Sequence, residues 1–158
     1  MNVIKSTLPS GKPFSLDLNL NHPSLLPGVQ VLSEHVLFKG GKLFRPKLCF
    51  MVAEALNVPF EQVRGFARIA ELVHAATLSH DDVIDVATER RNKATLNHRL
   101  TQARAILAGD LMLSRAMVEL CELGNPEILK RMAEVLEDLV TGEWIQIENR
   151  GVYSVKIG

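Results

Sequence analysis

Cysteine is scarce in this 158-residue sequence: Cys49 and Cys121 stand alone, with no CxxC spacing, so no disulfide framework is expected. The pair reads as two reduced core thiols in a cytoplasmic protein. Net charge is absent too, with eighteen Lys and Arg balancing eighteen Asp and Glu. No global field therefore exists to gather nucleic acid or an anionic membrane, and any anion must be held by a local cluster. No apolar run approaches the roughly 20 residues of a transmembrane helix. The opening residues, MNVIKSTLPSGKPF, lack the apolar core of a signal peptide. Strand alternation bounded by hairpin signals, internal repeats and low-complexity segments are not seen either.

What is present is helical periodicity. Residues 1–24 hold three of the seven prolines and read as an N-terminal arm, leaving 25–158 as a helical domain. Val29, Leu32 and Val36 give one apolar face before Gly40-Gly41, and Leu48–Leu56 resumes the pattern behind Pro46. A long spine continues through Val63, Phe66, Ile69, Ala70, Val73 and Thr77. Residues 87–98 read as a loop. Two further helices are predicted, Gln102–Leu123 ended by Gly124 and Pro126 to about Asn149. The fold class is all-α, with five or six helices.

The stretch HAATLSHDDVIDVATERR, residues 74–91, ends a buried-looking helix in three aspartates and two arginines. Asp81 and Asp85 are four apart and share one face, with His74 two turns back on nearly the same stripe. Asp82 points about 100° away, at the flank. Carboxylates at a helix C-terminus oppose the macrodipole by roughly 0.3–1 kcal/mol each. A hard divalent cation reverses that repulsion, and Mg²⁺ suits a site that leaves positions open for waters and phosphate oxygens. Arg90 and Arg91 add guanidinium forks that match phosphate. Upstream, GGKLFRP (40–46) places Lys42 and Arg45 where a helix starts, a plausible anion site. Taken singly, each feature has a plainer reading: a solvated helix end, a satisfied buried histidine, surface arginines, turn glycines.

Together these motifs resemble the trans-polyprenyl diphosphate synthases, an all-α isoprenoid synthase family. GGKLFRP is similar to its Gly-Gly-Lys-Arg-x-Arg-Pro segment, and HAATLSHDDVIDVATERR to its first aspartate-rich motif. LAGDLMLSRA (107–116) and GEWIQ (142–146) come next in family order. Leu43 stands where the family usually has Arg, and Asn92 where Gly often follows Arg-Arg.

The resemblance implies a truncated helical bundle, about the N-terminal half, and Mg²⁺-dependent head-to-tail condensation of isopentenyl diphosphate with an allylic diphosphate. Asp81 and Asp85 would hold Mg²⁺ with Asp82 supporting. Arg90 would contact the allylic diphosphate, and Lys42, Arg45, His74 and Arg91 the isopentenyl diphosphate. Val73, Ala76 and Thr77 would wall the growing chain, their small size implying a medium or long product.

The second aspartate-rich motif of the family is missing, so weak activity alone is expected. So is an exposed apolar surface that favours a homo-oligomer or a second synthase-like chain. Two rivals stand beside this reading. One is a non-catalytic subunit or binding module that completes a partner synthase. The other is an HD-type metal phosphohydrolase using His74, His80 and Asp81, with His35 and Asp110 as further ligands.

Overall fold

The structure, a computed structural model, describes residues 3–20, 42–90, 93–95 and 101–151. It is mostly helical, and the described residues divide into two compact units, 1–123 and 124–158. The helix expected around Val29–Val36 lies outside the described residues.

The first unit begins with a β-hairpin, which corrects the expectation that no strand would be found. Strand β1 (Val3–Thr7) pairs antiparallel with β2 (Pro13–Asp17), Val3 opposite Asp17 and Thr7 opposite Pro13. Between them Leu8 N–H donates to Lys12 O at 2.9 Å, and Gly11 takes the turn at φ 86°. Two of the three prolines that suggest a loose arm, Pro9 and Pro13, fall in this turn and at the first residue of β2, where a missing N–H is tolerated; Pro23 lies outside the described residues. Apolar and polar residues alternate through PFSLDLNL, and Phe14, Leu16, Leu18 and Leu20 are all buried.

Helix α1 (Phe44–Ala55) carries Pro46 in its first turn and buries Pro46, Phe50 and Ala53. It closes in a Schellman turn with Asn57 at φ 54°, Val58 N–H reaching Ala53 O at 2.8 Å. Phe50 is the meeting point of hairpin and helices, its ring 4.7 Å from that of Phe14 and 5.0 Å from that of Phe60. Helix α2 (Phe60–Ile84) begins after Pro59, with Glu61 against its positive end. A second, two-residue ladder pairs β3 (Glu89–Arg90) with β4 (Lys93–Ala94), inside the segment expected as a loop.

Helix α3 (Gln102–Glu122) is capped by Thr101, whose hydroxyl accepts from Arg104 N–H at 3.3 Å. It packs along α2 through small residues: Ala76 and Ser79 on one side, Ala105, Ala108, Gly109 and Ala116 on the other. Ser79 Oγ donates to Ala105 O at 2.8 Å, so the one hydroxyl in this seam is satisfied. Cys121 is exposed and Cys49 half-buried, so the thiols are free as expected, yet only Cys49 approaches the core.

The second unit is helix α4 (Pro126–Glu148). Asn125 caps it, accepting from Glu127 and Ile128 N–H at 3.1 and 3.2 Å, and Pro126 takes the first helical position. GEWIQ lies on this helix, with Trp144 Nε1 donating to Glu148 Oε1 at 2.8 Å. Apolar side chains are exposed in each unit: Phe44, Leu48 and Val52 on α1 of the first, and Leu139, Val140 and Trp144 on α4 of the second.

Candidate active site

The three aspartates occupy the last turn of α2 and its cap. Asp85 is the C-cap and exposed, Asp81 is half-buried one turn earlier, and Asp82 is buried at 8% exposure. The helix stops in a Schellman turn: Ala87 N–H donates to Asp82 O at 3.0 Å and Val86 N–H to Val83 O at 3.2 Å. Such a turn needs a left-handed residue, and Val86 supplies it at φ 52°. A β-branched side chain is disfavoured there, so the stop beside Asp85 is strained.

Thr95 braces the segment beyond this stop. Its backbone N–H donates to Thr88 O at 3.0 Å and its hydroxyl to Ala87 O at 2.7 Å. Arg90 stands on β3 within this braced segment, paired in register with Lys93. Arg91 and Asn92 lie outside the described residues.

His74 and Asp81 share a stripe with Asp85, all three lying within about 40° of one another at 100° per residue. That stripe ends against the negative pole of α2, and no basic residue occupies the helix's last turn. Two carboxylates one turn apart, with Cβ atoms about 5–6 Å apart, offer hard oxygens to a single cation. Among the described residues no three His, Cys, Asp or Glu side chains group into a closed metal site. Two carboxylates on one stripe are a donor set of the kind Mg²⁺ takes, since it is held by one or two carboxylates and keeps waters. Of the ligands an HD-type site would use, His35 lies outside the described residues.

Lys42 and Arg45 lie three positions apart at the start of α1, both exposed. The residue between Lys42 and the helix, Leu43, is buried and left-handed at φ 49°, and no side chain caps the helix there. The first N–H groups of α1 therefore have no side-chain acceptor at the cap position.

The three wall candidates separate. Thr77 is half-buried about 40° from Asp81, its hydroxyl donating to His74 O at 2.9 Å. Val73 lies about 80° away and is buried. Ala76 lies about 140° away, on the opposite side of α2, at 1% exposure.

Sequence reasoning overlooked the joint between His80 and Gly109. The His80 ring fills the space a side chain would take: a Cβ built on Gly109 would stand 2.3 Å from His80 Nε2. That nitrogen lies 3.3 Å from Ile106 O and 3.2 Å from Asp110 Oδ1. A glycine inside a helix costs about 1 kcal/mol against alanine, which is the sequence signal that close approach was needed.

With this geometry in view, the comparisons with known proteins are specific. The polyprenyl synthetase family model matches residues 26–156. All trans-polyprenyl-diphosphate synthase of Mus musculus is 41% identical over 126 residues, covering 75% of this chain and 31% of that protein. Octaprenyl diphosphate synthase of Escherichia coli is 33% identical over 121 residues, covering 77% and 38%. Among solved structures, decaprenyl diphosphate synthase from Rhodobacter capsulatus matches with TM-score 0.79 at 25% identity, over 88% of this chain and 43% of that one. A geranyltranstransferase from Thermotoga maritima matches with TM-score 0.76 at 30% identity, over 85% and 51%. The chain spans about a third of the length of the curated relatives it matches. No helix among the described residues is long and apolar enough to cross a membrane.

Proposed function

This chain belongs to the polyprenyl synthetase family, and on that premise we propose that it carries the first aspartate wall of a prenyltransferase. The reaction is head-to-tail condensation of isopentenyl diphosphate with an allylic diphosphate, giving a medium or long product. The supporting observation is the shared stripe of His74, Asp81 and Asp85 at the closed end of α2, with the braced strand that carries Arg90 immediately after it.

In this reading Asp81 and Asp85 would hold Mg²⁺, and Asp82 would support them from its buried position. Mg²⁺, when bound, supplies Lewis-acid stabilisation of the departing diphosphate. Arg90 takes charge on the allylic diphosphate as the C–O bond ionises, a stabilisation that grows with the transition state. Lys42, Arg45, His74 and Arg91 hold the diphosphate of isopentenyl diphosphate so that its alkene attacks the allylic carbon as diphosphate departs, and the resulting carbocation then loses a proton to give the new alkene. Thr77 and Val73 exclude water along the prenyl chain. The chain works with a second copy or a second synthase-like chain. We place it in the cytosol, on its two free thiols.

The test is incorporation of labelled isopentenyl diphosphate by the complete protein that carries this chain. Asp81→Asn and Asp85→Asn should each lower the rate by roughly a hundredfold or more. Wild-type rates in both variants would overturn the assignment.

A further inference from the structure

His80 and Gly109 form a knob and notch at the point where α2 meets α3, one residue before the first aspartate. Along α3, Ala105, Ala108, Met112 and Ala116 are buried in a smooth seam of small and apolar groups. Alanines offer little shape to register against, and the polar ties between α2 and α3 besides His80 include Ser79 Oγ to Ala105 O at 2.8 Å and, several turns away, Arg68 to Glu119. The notch adds a steric stop at the level of the aspartates. The His80 ring sits so close to the Gly109 backbone that any side chain there would meet three of its atoms within 2.9 Å. One polar tether then fixes the ring: Nε2 lies 3.3 Å from Ile106 O and 3.2 Å from Asp110 Oδ1, both on α3.

From this we infer that His80 is a positioning residue, seated in the Gly109 notch so that the last turn of α2 presents Asp81 and Asp85 at one fixed azimuth. The inference rests on the metal-holding reading above and deepens it. His80 precedes Asp81 by one residue, so a rotation of α2 that withdraws His80 from the notch turns the aspartate stripe by the same angle. The need for the azimuth is sharp. Asp82, only one position on, already lies about 100° away and is buried. The strained left-handed Val86 ends the helix immediately beyond, so the turn cannot take up the error by extending. His80 need not touch metal or substrate to act this way.

The test uses Mn²⁺ as the probe with this chain, by electron paramagnetic resonance, and amide hydrogen exchange at residues 81–85 as a second readout. His80→Ala should weaken Mn²⁺ binding by roughly tenfold to a hundredfold, the usual effect of losing a group that orients a ligand. His80→Gln, which keeps a donor of similar reach, should restore most of it. Gly109→Ala should lower both affinity and exchange protection. The double variant His80→Ala/Gly109→Ala should be less impaired in protection than the two single effects added, since the alanine methyl then fills the vacated notch. Equal Mn²⁺ affinity in wild type and His80→Ala would overturn the inference. Should wild type bind no Mn²⁺, the metal-holding reading fails for this chain, and exchange decides the positioning alone. Protection lost in His80→Ala and kept in His80→Gln supports it; unchanged protection in His80→Ala overturns it.

Discussion

Arg68 Nε lies 2.8 Å from Glu119 Oε2 and 2.9 Å from Oε1, joining α2 to α3 across 51 positions of sequence. The same guanidinium donates to Asp17 O and, at 2.6 Å, to Asn19 O, so one side chain ties the hairpin's exit to both helices. Glu119 also accepts from Arg115 Nε at 2.7 Å. Both partners of the central pair are largely withdrawn from water, their side chains 15% and 11% exposed.

Arg68→Ala should therefore cost about 2–4 kcal/mol, because it strands two carbonyls and leaves Glu119 with one cation in place of two. Arg68→Lys should recover little, since an ammonium cannot span a carboxylate and two carbonyls in one plane. Arg115→Ala, at a half-exposed i,i+4 pair, should cost about 1 kcal/mol or less. Urea unfolding of the three variants gives the order; an Arg115 effect larger than that of Arg68 would refute it.

Val86 invites the opposite change. Its left-handed backbone costs about 1–2 kcal/mol for a residue with a branched Cβ, and its side chain is 68% exposed, so little burial is lost on removing it. Glycine gives back part of the gain as freedom of the unfolded chain. Val86→Gly should stabilise by about 0.5–1 kcal/mol, read as a higher urea midpoint at unchanged slope.

The wall residues should divide by side of α2. Ala76 is fully packed on the side away from Asp81, so Ala76→Phe should destabilise by about 1–3 kcal/mol through overpacking. Thr77 lies on the aspartate side, so Thr77→Phe should shorten the product of the complete protein while costing less stability. Product lengths from the two variants, set against their unfolding midpoints, check this; an unchanged length in Thr77→Phe refutes it.

The thiols provide a pH test. Burial raises the pKa of Cys49 above 9.0, its value when solvated, and its Sγ donates to Val63 O at 3.7 Å. An acid held neutral by the fold favours the native state fully below pH 9. That contribution is lost as pH rises above 9 through the higher folded value. Stability should thus fall on the alkaline side in wild type and fall less in Cys49→Ala. Near neutral pH a thiol reagent should modify exposed Cys121 well before Cys49.

How much is legible in the residues depends on the range of the interaction. Thr101, Asn125-Pro126 and Gly124 are local signals, and they set the ends of α3 and α4 within a residue or two. The aspartate stripe comes from helical spacing alone. The hairpin is also written locally, in the alternation Phe14, Leu16, Leu18, Leu20, and is hidden only by prolines that by themselves suggest a loose chain. Ser79 with Ala105, His80 with Gly109 and Arg68 with Glu119 have no local signature, since each joins positions 26 or more apart.

By itself, then, the sequence determined the helical periods, their stops and the line of carboxylates at the end of α2, because these depend on neighbours within about two turns. Tertiary structure alone decided which side of α2 is packed. It put Ala76 in the seam, left Thr77 on the aspartate side, buried Asp82, and fitted His80 against a glycine. Those outcomes rest on shape and burial between distant segments, where a difference of a single methyl group decides whether two helices can meet.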